Sequence, residues 1–414
     1  MKRVLQYIII FSVSLAITSC LKEMRKESFE KGEICATIKV QLKVPEGIQT
    51  HLEGLEVKFT EQYTGLEYTG TADENGMVSV DVTYGSYYGV TNARRVAGSG
   101  MIDIFNGSTD KIRVTPEDPE VVESVLQLNY SKTGQFVIKE IYFGGCWNEN
   151  TNKAYTGKDM YFTIYNNTYS TAYLDSICVG IINPLNAPSK GKLSDWVKPG
   201  TTELRDSIPC GTMVWMFKGD GKSLPLAPGE EVVCSVNAIN HTIAVPASVN
   251  LGKTGYFAMY DPMVTTKQST PEPGVELMDL IWKTGPGTAF PFSIGSPGVL
   301  IFSLGDKPLD EFIKANHKAN PTKPTNPSFD CLLVDKNLVI DGVECLKQPS
   351  DSKRFRPEVD NGFAMISSTG TGRSIMRKVD AELTIPGGVI IYMDTNNSTN
   401  DFEVLPFATL TGKK

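Results

Sequence analysis

Histidine is scarce in this chain: His51, His241 and His317 are the three present in 414 residues, and they lie far apart. A histidine-based metal site needs two or more of them to converge, so none is predicted. The zinc-protease pattern HExxH and the hydrolase pattern GxSxG are also absent. Neither a zinc-dependent active site nor a nucleophile elbow is therefore expected, and we predict that the chain is not an enzyme.

Basic blocks are missing as well, and the formal net charge is −7. Binding to nucleic acid depends largely on basic side chains that neutralise phosphates. The charge and its distribution therefore exclude nucleic acid as an expected partner.

Short patterns that resemble catalytic motifs lack their partners. The stretch GDGKS at 219–223 ends like a phosphate-binding loop, but Met216 stands where the first glycine belongs. Ser-x-x-Lys occurs at 189–192 and 350–353, in polar surroundings and without a second motif. We interpret 219–223 as a hairpin turn and the other two as chance matches.

Cysteine occurs eight times without any CxxC pair, which argues against a zinc knuckle. Leaving Cys20 aside, seven remain, so complete pairing within one chain is ruled out. Cys178 and Cys234 lie in apolar, strand-like runs and are predicted to be buried thiols. Cys331 and Cys345 are close enough in sequence to close a small loop, but sequence alone does not give the pairing.

Long helical patterns are nearly absent from the sequence, and no repeat with a period of 20–50 residues occurs. Short runs rich in Val, Ile, Tyr, Phe and Thr recur instead, bounded by Gly, Asn, Asp and Pro. This pattern is typical of an all-β protein.

The N-terminus has the composition of a secretory signal. Lys2 and Arg3 precede an uncharged apolar run over 4–17, which is shorter than the roughly 20 residues of a membrane-spanning helix. The small residues Thr18 and Ser19 then precede Cys20. The ITSC sequence resembles the bacterial lipobox, which implies a signal peptide over 1–19 and lipidation of Cys20. An ordinary signal peptide and a retained membrane helix are the alternatives.

The residues after Cys20 bear on location. In lipoproteins an Asp next to the lipidated cysteine is the usual inner-membrane retention signal, and Leu21 stands there instead. The resemblance therefore implies an outer-membrane anchor, facing either the periplasm or the cell surface. Residues 20–33 are polar and charged, which predicts a solvated tether.

The first predicted domain covers 34–130, where apolar and polar residues alternate as in half-buried strands. DENG at 73–76 predicts a tight turn, because Asn-Gly favours positive φ angles, and a strand follows with Val78, Val80 and Val82 on one face. The residues in this stretch that carry a family resemblance are Gly54, Val57, Thr64, Gly65, Asp73, Gly76, Val78, Val80, Gly85 and Tyr87 or Tyr88. With them the stretch resembles the carboxypeptidase regulatory-like, transthyretin-type β-sandwich, which is a non-catalytic accessory module.

The second predicted domain covers 134–414. The residues in it that carry a family resemblance are Ile138, Glu140, Ile141, 161–166, 174–179, Leu226, Pro228, Gly229, Glu230, 374–378 and 394–402. With these residues the stretch resembles the lamin-tail domain, an immunoglobulin-like sandwich. Thr163 departs from the family's usual Glu, and an insert over about 300–360 interrupts the pattern. Within this insert, DKPLDEFIKANHK predicts one short helix.

Two places are candidate binding sites. Side-chain oxygens alternate along 394–401 and could bind Ca²⁺, although an Asx-rich turn that caps the backbone is the favoured interpretation. Trp196, in the loop-like stretch LSDWVKPGTT, is the tryptophan expected to be exposed and to stack on a ligand such as a sugar. The candidate Ca²⁺ ligands are Asp394, Asn396, Ser398, Asn400 and Asp401.

Together these features predict an all-β lipoprotein with two β-sandwich domains in series, transthyretin-like and immunoglobulin-like, and one short helix in the insert. The layout resembles an uncharacterised lipoprotein family of Bacteroides-type bacteria. We expect a non-catalytic binding or accessory module at the cell envelope, partnered by the membrane and by an outer-membrane transporter or another envelope protein. The alternative is a lipoprotein that captures a nutrient, either a glycan or a metal complex. No cofactor is expected apart from the Ca²⁺ alternative.

Overall fold

The computed structural model describes residues 36–413 except 46–47, 49, 97–101, 188–195, 199, 202–203, 291, 306, 321–322 and 385. The predicted signal peptide, Cys20, the tether and Cys35 therefore lie outside the described residues. The chain divides into two compact units, the first up to residue 95 and over 103–132, the second over 96–102 and from 133 onward.

Strands β1 to β9 build the first unit, except that Val96, Ile102 and Thr133, at the ends of three of these strands, fall in the second unit. Their bounds are β1 Ala36–Lys43, β2 Glu56–Glu61, β3 Glu67–Thr71, β4 Met77–Val82, β5 Gly85–Val96, β6 Ile102–Ser108, β7 Ile112–Val114, β8 Val121–Gln127 and β9 Asn129–Thr133. One sheet has the order β4-β1-β8, and the other has the order β3-β2-β5-β6-β9 with β7 beside β5.

The two sheets of the first unit share one core. Ile38 and Val40 from β1 belong to the same buried cluster as Val57 and Phe59 from β2, so the sheets face each other as a sandwich. The alternation predicted for β1 is confirmed, because its residues are buried at every second position.

In its described residues, the second unit contains strands β10 to β28 and two α-helices. The strands are β10 Phe136–Tyr142, β11 Cys146–Asn148, β12 Lys153–Tyr155, β13 Tyr161–Asn166, β14 Ala172–Tyr173, β15 Cys178–Ile181, β16 Ser207–Cys210, β17 Met213–Met216, β18 Pro225–Leu226, β19 Glu231–Ser235, β20 Phe257–Ala258, β21 Glu276–Leu277, β22 Asp279–Lys283, β23 Gly298–Phe302, β24 His317–Lys318, β25 Cys331–Asp335, β26 Val339–Glu344, β27 Ser374–Arg377 and β28 Phe402–Leu405. The helices are α1 Leu309–Asn316 and α2 Ser398–Asp401, and 3-10 helices cover His241–Ile243, Pro327–Phe329, Lys336–Leu338 and Thr409–Thr411.

Two large sheets form the body of the second unit. One has the order β21-β20-β19-β13-β10-β27-β28, and the other has the order β22-β17-β15-β23-β26. Ile141 and Phe162 from the first sheet share a buried cluster with Val179, Trp215 and Ile301 from the second. The predicted all-β sandwich class is therefore confirmed, and smaller sheets β16-β25-β24, β11-β12 and β14-β18 border this core.

The tight turn predicted at 73–76 is confirmed, but it joins strands of different sheets. Gly76 N–H donates to Asp73 O at 2.9 Å, and the Asp73 carboxylate accepts from Asn75 N–H at 2.9 Å. Gly76 has a left-handed φ of +73°, whereas Asn75 does not adopt a positive φ. Because β3 and β4 lie in different sheets, the turn forms a corner of the sandwich.

The predicted helix is confirmed as α1, with Pro308 at its N-cap. The segment 300–360, predicted as an insert in the family pattern, contributes to the sheets, because most of β23 and all of β25 and β26 come from it. Strand β23 pairs with both β15 and β26 inside the five-stranded sheet, and Ile301 and Val343 are fully buried. The segment is part of the core because its apolar strands complete the second sheet.

The described cysteines are buried thiols. Cys178 and Cys234 are fully buried and unbridged, as predicted. The loop-closing bridge between Cys331 and Cys345 does not form, because Cys345 is a free thiol. Cys345 lies next to β26 in the main core cluster, so it packs as a small apolar side chain.

Candidate functional site

Trp196 is buried, and the prediction that it is exposed is wrong. Its relative exposure is 1%, and its indole N–H has no hydrogen-bond partner among the described residues. Val197 forms an antiparallel bridge with Leu204, and Arg205 N–H donates to Trp196 O at 2.9 Å. The residues around Trp196 have a loop-like sequence, but the indole ring itself is excluded from solvent.

The stretch 394–401 is organised around a buried arginine. Arg377 forms two contacts of 2.8 Å to Asp341, one of 3.3 Å to Asp394 and one of 3.4 Å to Asp401. Two of the five candidate Ca²⁺ ligands therefore contact a guanidinium, a group the sequence pattern does not reveal. In the part of the chain that the structure describes, no group of three or more His, Cys, Asp or Glu is arranged to hold a metal ion.

The favoured Asx-turn interpretation of this stretch is confirmed. Asn397 caps α2, and its side chain accepts from Thr399 N–H at 3.1 Å. Ser398 donates through both its N–H and its hydroxyl to Asp360, at 2.9 and 2.6 Å. Burial raises the pKa of Asp360 to about 6 in spite of these donors.

The loop at 219–223 closes on a carboxylate. Asp175 Oδ1 accepts from Gly221 N–H at 3.1 Å and Ser223 N–H at 2.7 Å, and Oδ2 accepts from Leu224 N–H at 2.8 Å. The amides that a phosphate loop would direct at its ligand thus bind an internal side chain. The interpretation as a hairpin turn is wrong, because the strands on either side of it, β17 and β18, lie in different sheets and do not pair.

A groove beside Trp147 is the candidate site. Trp147 is 47% exposed, and the cavity next to it measures about 200 Å³. Its apolar wall is the segment 245–247, and polar groups stand around it. The residues that line it are Trp147, Glu149, Asn150, Val245, Pro246, Ala247 and Lys413.

The hairpin of β11 and β12 positions Trp147. Cys146 pairs with Tyr155 and Trp147 pairs with Ala154, and successive side chains alternate between the two faces of a strand. Cys146 is therefore buried while Trp147 faces solvent. Gly145 precedes the hairpin with a φ of +69°, and a Cβ there would lie 2.0 Å from the Tyr155 carbonyl oxygen, so only glycine fits.

A buried polar cluster lies behind the groove wall. Asp159 is fully buried, and its Oδ2 accepts from Ser248 Oγ at 2.6 Å and from Tyr142 OH at 3.0 Å, with Cys146 Sγ at 3.9 Å. Asp159 Oδ1 has no hydrogen-bond partner among the described residues. Ser248 directly follows the wall segment 245–247, so the cluster holds one end of the wall.

His241 holds the other end of the wall. Its Nε2 lies 2.8 Å from Asn237 O, and its Nδ1 lies 2.8 Å from Tyr155 OH. A carbonyl only accepts, so Nε2 carries the proton and Nδ1 accepts from the tyrosine hydroxyl. Val245 N–H donates to His241 O at 3.0 Å, and Ser248 N–H donates to Val245 O at 2.8 Å, so the wall is a compact, internally bonded loop.

Burial disfavours the charged forms of the groups in this cluster. It raises the pKa of Asp159, lowers the pKa of His241, and raises the pKa of Cys146 to about 11 and of Tyr155 to about 12. A thiol with such a pKa is a poor nucleophile. The cluster is suited to fixing the loop, while the groove outside it presents an indole ring, a carboxylate, an amide and an ammonium group to a ligand.

Sequence reasoning missed Trp147 although a signal was present. The stretch GGCWNENTN places the tryptophan one position after a cysteine and before a polar turn. In a strand, that alternation turns Cys146 and Trp147 to opposite faces. Core packing accounts for the other three tryptophans, since Trp196, Trp215 and Trp282 are all buried.

Within the described residues, no helix combines the length and the apolar character needed to cross a membrane. The residue predicted to carry the lipid, Cys20, lies outside that part of the chain, so its lipidation stays a prediction.

Comparisons with known proteins give an informative match among solved structures. The chain is similar to a DUF4876 family protein from Bacteroides thetaiotaomicron, with 26% identity, a TM-score of 0.58, and coverage of 89% of this chain and 94% of that one. A DUF3823 family protein from Parabacteroides merdae matches at 12% identity over 36% of this chain and 65% of its own, and one from Bacteroides ovatus at 13% over 46% and 94%. Their TM-scores of 0.18 and 0.17 are too low to bear on fold or function.

A search of curated proteins finds no match. A protein-family model also matches part of the chain, and the matched part includes the wall of the groove, 245–247, but not Trp147 or Lys413. Residues 227–407 match the model of the DUF4876 family, whose members are described as proteins of unknown function.

Proposed function

We propose that the protein is a lipoprotein, anchored to the outer membrane through Cys20, that acts as a non-catalytic binding or accessory module at the cell envelope. The observation that supports a binding role is the groove at Trp147, where an exposed indole ring stands beside a loop fixed from behind by hydrogen bonds. A preformed concave surface with a few convergent polar groups is the usual form of a binding site.

Anchoring is supported by the sequence before the described residues. The charged start, the apolar run over 4–17 and the small residues before Cys20 fit a signal that ends in lipidation. Each buried methylene of an acyl chain contributes about 0.8 kcal/mol, and more than one chain gives stable anchoring.

A non-catalytic role is supported by the titratable groups near the groove. His241, Asp159 and Cys146 lie in the hydrogen-bonded cluster behind the wall, and burial disfavours the charged form of each. A general base or a nucleophile must instead reach the substrate in its reactive state.

The test of anchoring is a Cys20→Ser variant expressed in the native host. Radiolabelled palmitate should be incorporated into the wild-type protein, which should sediment with the outer membrane, and both properties should be lost in the variant. Cys35→Ser is the matched control, because it removes the next cysteine along the chain and should change neither property. Full labelling and sedimentation of Cys20→Ser would contradict the proposal.

The test of the accessory role is gentle detergent extraction followed by identification of what co-purifies. An outer-membrane transporter or another envelope protein should be recovered at a fixed ratio with the wild-type chain. Trp147→Ala should reduce that recovery if the groove is the contact surface, whereas Tyr63→Ala, which removes a 70% exposed ring in the other unit, should not. Recovery of a solitary protein would contradict the accessory role.

Capture of a nutrient ligand, a glycan or a metal complex, is the second candidate function. The groove favours it, because an aromatic-lined concavity is the feature that this function requires. The two candidates differ in the partner of the groove, which is a protein surface in the first and a small ligand in the second.

A further inference from the structure

Trp147 is exceptional among the four tryptophans of the chain. Trp196, Trp215 and Trp282 are 1%, 0% and 8% exposed, whereas Trp147 is 47% exposed. An indole left in water forgoes the burial free energy of a large apolar ring. The ring is nevertheless held on a paired strand whose other face is buried, so its position is set before any ligand arrives.

The polar groups around the ring are balanced in charge. Glu149 and Lys413 contribute one charge of each sign, and Asn150 adds an amide that both donates and accepts. Glu149 and Asn150 are neighbours in the turn between β11 and β12, on the same hairpin as Trp147. These three side chains can form hydrogen bonds with several hydroxyl groups of a ligand, and their charges sum to zero, so they do not attract an ion.

The size of the groove limits what it can hold. Its volume of about 200 Å³ is below the roughly 300–1,000 Å³ typical of sites for drug-sized ligands. One six-membered ring fits such a space, whereas several linked rings must continue outside it.

We infer that the Trp147 groove binds one pyranose ring of a neutral saccharide, with the C–H face of the ring on the indole and its hydroxyl groups bonded to Glu149 and Asn150. This inference rests on the proposed binding role of the same groove and names the class of its ligand. A pyranose has an apolar face of C–H groups and a rim of hydroxyls that donate and accept. The groove offers the complement of both, a flat π face and a mixed rim.

Other ligand classes fit less well. An anion would face the Glu149 carboxylate, and a metal complex would lack a ligating cluster among the described residues. A purely apolar ligand would leave three polar side chains of the rim without partners. A peptide side chain stacked on Trp147 is the remaining rival, and the experiment below separates it.

The experiment is saturation-transfer NMR on the full chain with methyl pyranosides of glucose, galactose, mannose and N-acetylglucosamine. The protein is held in a detergent without a sugar headgroup, because alkyl glycosides would compete for the groove. At least one pyranoside should receive saturation, strongest at the protons of one ring face. Trp147→Ala should weaken binding about 10-fold or more, the loss expected for one stacked aromatic ring, and Glu149→Ala should also weaken it.

Two controls keep the result interpretable. Tyr63→Ala removes an exposed ring in the other unit and should leave saccharide binding unchanged. Trp147→Phe keeps an aromatic face and should lose less affinity than Trp147→Ala. Because Trp147 is half exposed, these variants should fold, which a thermal melt checks.

The outcomes separate the ligand class from the binding role. No transfer to any pyranoside, or transfer that Trp147→Ala leaves intact, overturns the inference. If an envelope protein or a peptide then depends on Trp147 for binding, the binding role stands and only the saccharide class fails. If nothing depends on Trp147, both fail.

Discussion

The Tyr155 hydroxyl lies 2.8 Å from Nδ1 of His241 and ties strand β12 to the loop that forms the groove wall. The two residues are 86 positions apart in sequence. The hairpin that carries Trp147 on its outer face thus holds the opposite side of the groove through its inner face.

Tyr155→Phe should destabilise the second unit by about 1–3 kcal/mol. The substitution keeps the ring but leaves His241 Nδ1 buried without a donor, and an unpaired buried polar group costs this amount. Urea unfolding measures it, with Tyr63→Phe as the control at an exposed position. Equal unfolding free energies for wild type and Tyr155→Phe would show that the hydroxyl does not hold the wall.

Trp147 should account for most of the iodide quenching of tryptophan fluorescence. Iodide reaches only exposed rings, and the other three tryptophans are at least nine-tenths buried. Trp147→Phe should therefore remove most of the quenchable emission, whereas Trp196→Phe should leave the quenchable part unchanged. Strong quenching that persists in Trp147→Phe would contradict the assigned exposure.

Arg377→Met should cost at least about 3–5 kcal/mol or prevent folding. Arg377 contacts Asp341, Asp394 and Asp401, all of them buried, and its loss removes the cation that these carboxylates share, which is strongly destabilising. The yield of soluble protein and its urea midpoint report the effect. Arg373→Met, at a less buried position nearby, should change the midpoint little, and an equal effect of the two would contradict the prediction.

Asp360 should make stability fall as pH rises from about 4 to 6. Its folded-state pKa of about 6 lies above the ordinary value of 3.8, so the folded chain holds this proton more tightly than the unfolded chain. The contribution is complete below about pH 4 and is lost as pH rises through about 6. At about 1.4 kcal/mol per pKa unit, it amounts to roughly 3 kcal/mol.

The measurement is urea unfolding of wild type and Asp360→Asn at several pH values. The unfolding free energy of the variant should lack this part of the pH dependence. Identical pH slopes in the two proteins would contradict the raised pKa.

Cys178 and Cys234 should resist alkylation in the folded protein. Both are fully buried, and burial raises the pKa of each thiol, so neither is a thiolate at pH 8. Iodoacetamide followed by peptide mass spectrometry should label both only after guanidinium is added. Labelling of either thiol in the native chain would show that its strand opens readily.

Local patterns predicted the parts of this fold that are decided locally. Alternation in β1, the turn at 73–76 and helix α1 all depend on residues within a few positions of each other. The prediction that Trp196 is exposed was wrong because a loop-like sequence indicates the backbone conformation and not the direction in which the ring points. The place of segment 300–360 in the sheets could not be predicted locally, because its strands pair with β15 and β16, which lie more than a hundred residues earlier.

The candidate site was hidden for the same reason. Trp147 and the wall at 245–247 meet through side chains far apart in sequence, and no local pattern joins them. The acids at 394–401 resemble ion ligands in sequence, whereas the arginine that contacts two of them lies earlier in the chain, in β27. Sequence alone recognises a run of oxygens but not the group that it faces.

The pairing of β10 with β27 has a consequence for how the chain folds. Glu140 lies opposite Met376, so one neighbour of a central strand is supplied more than 230 residues later. Contacts of such separation slow folding, because a long loop must close before they form. Until residues 374–377 arrive, β10 has an open edge that can pair with another molecule. A chain truncated before β27 should therefore aggregate rather than fold to a smaller version of the same sandwich.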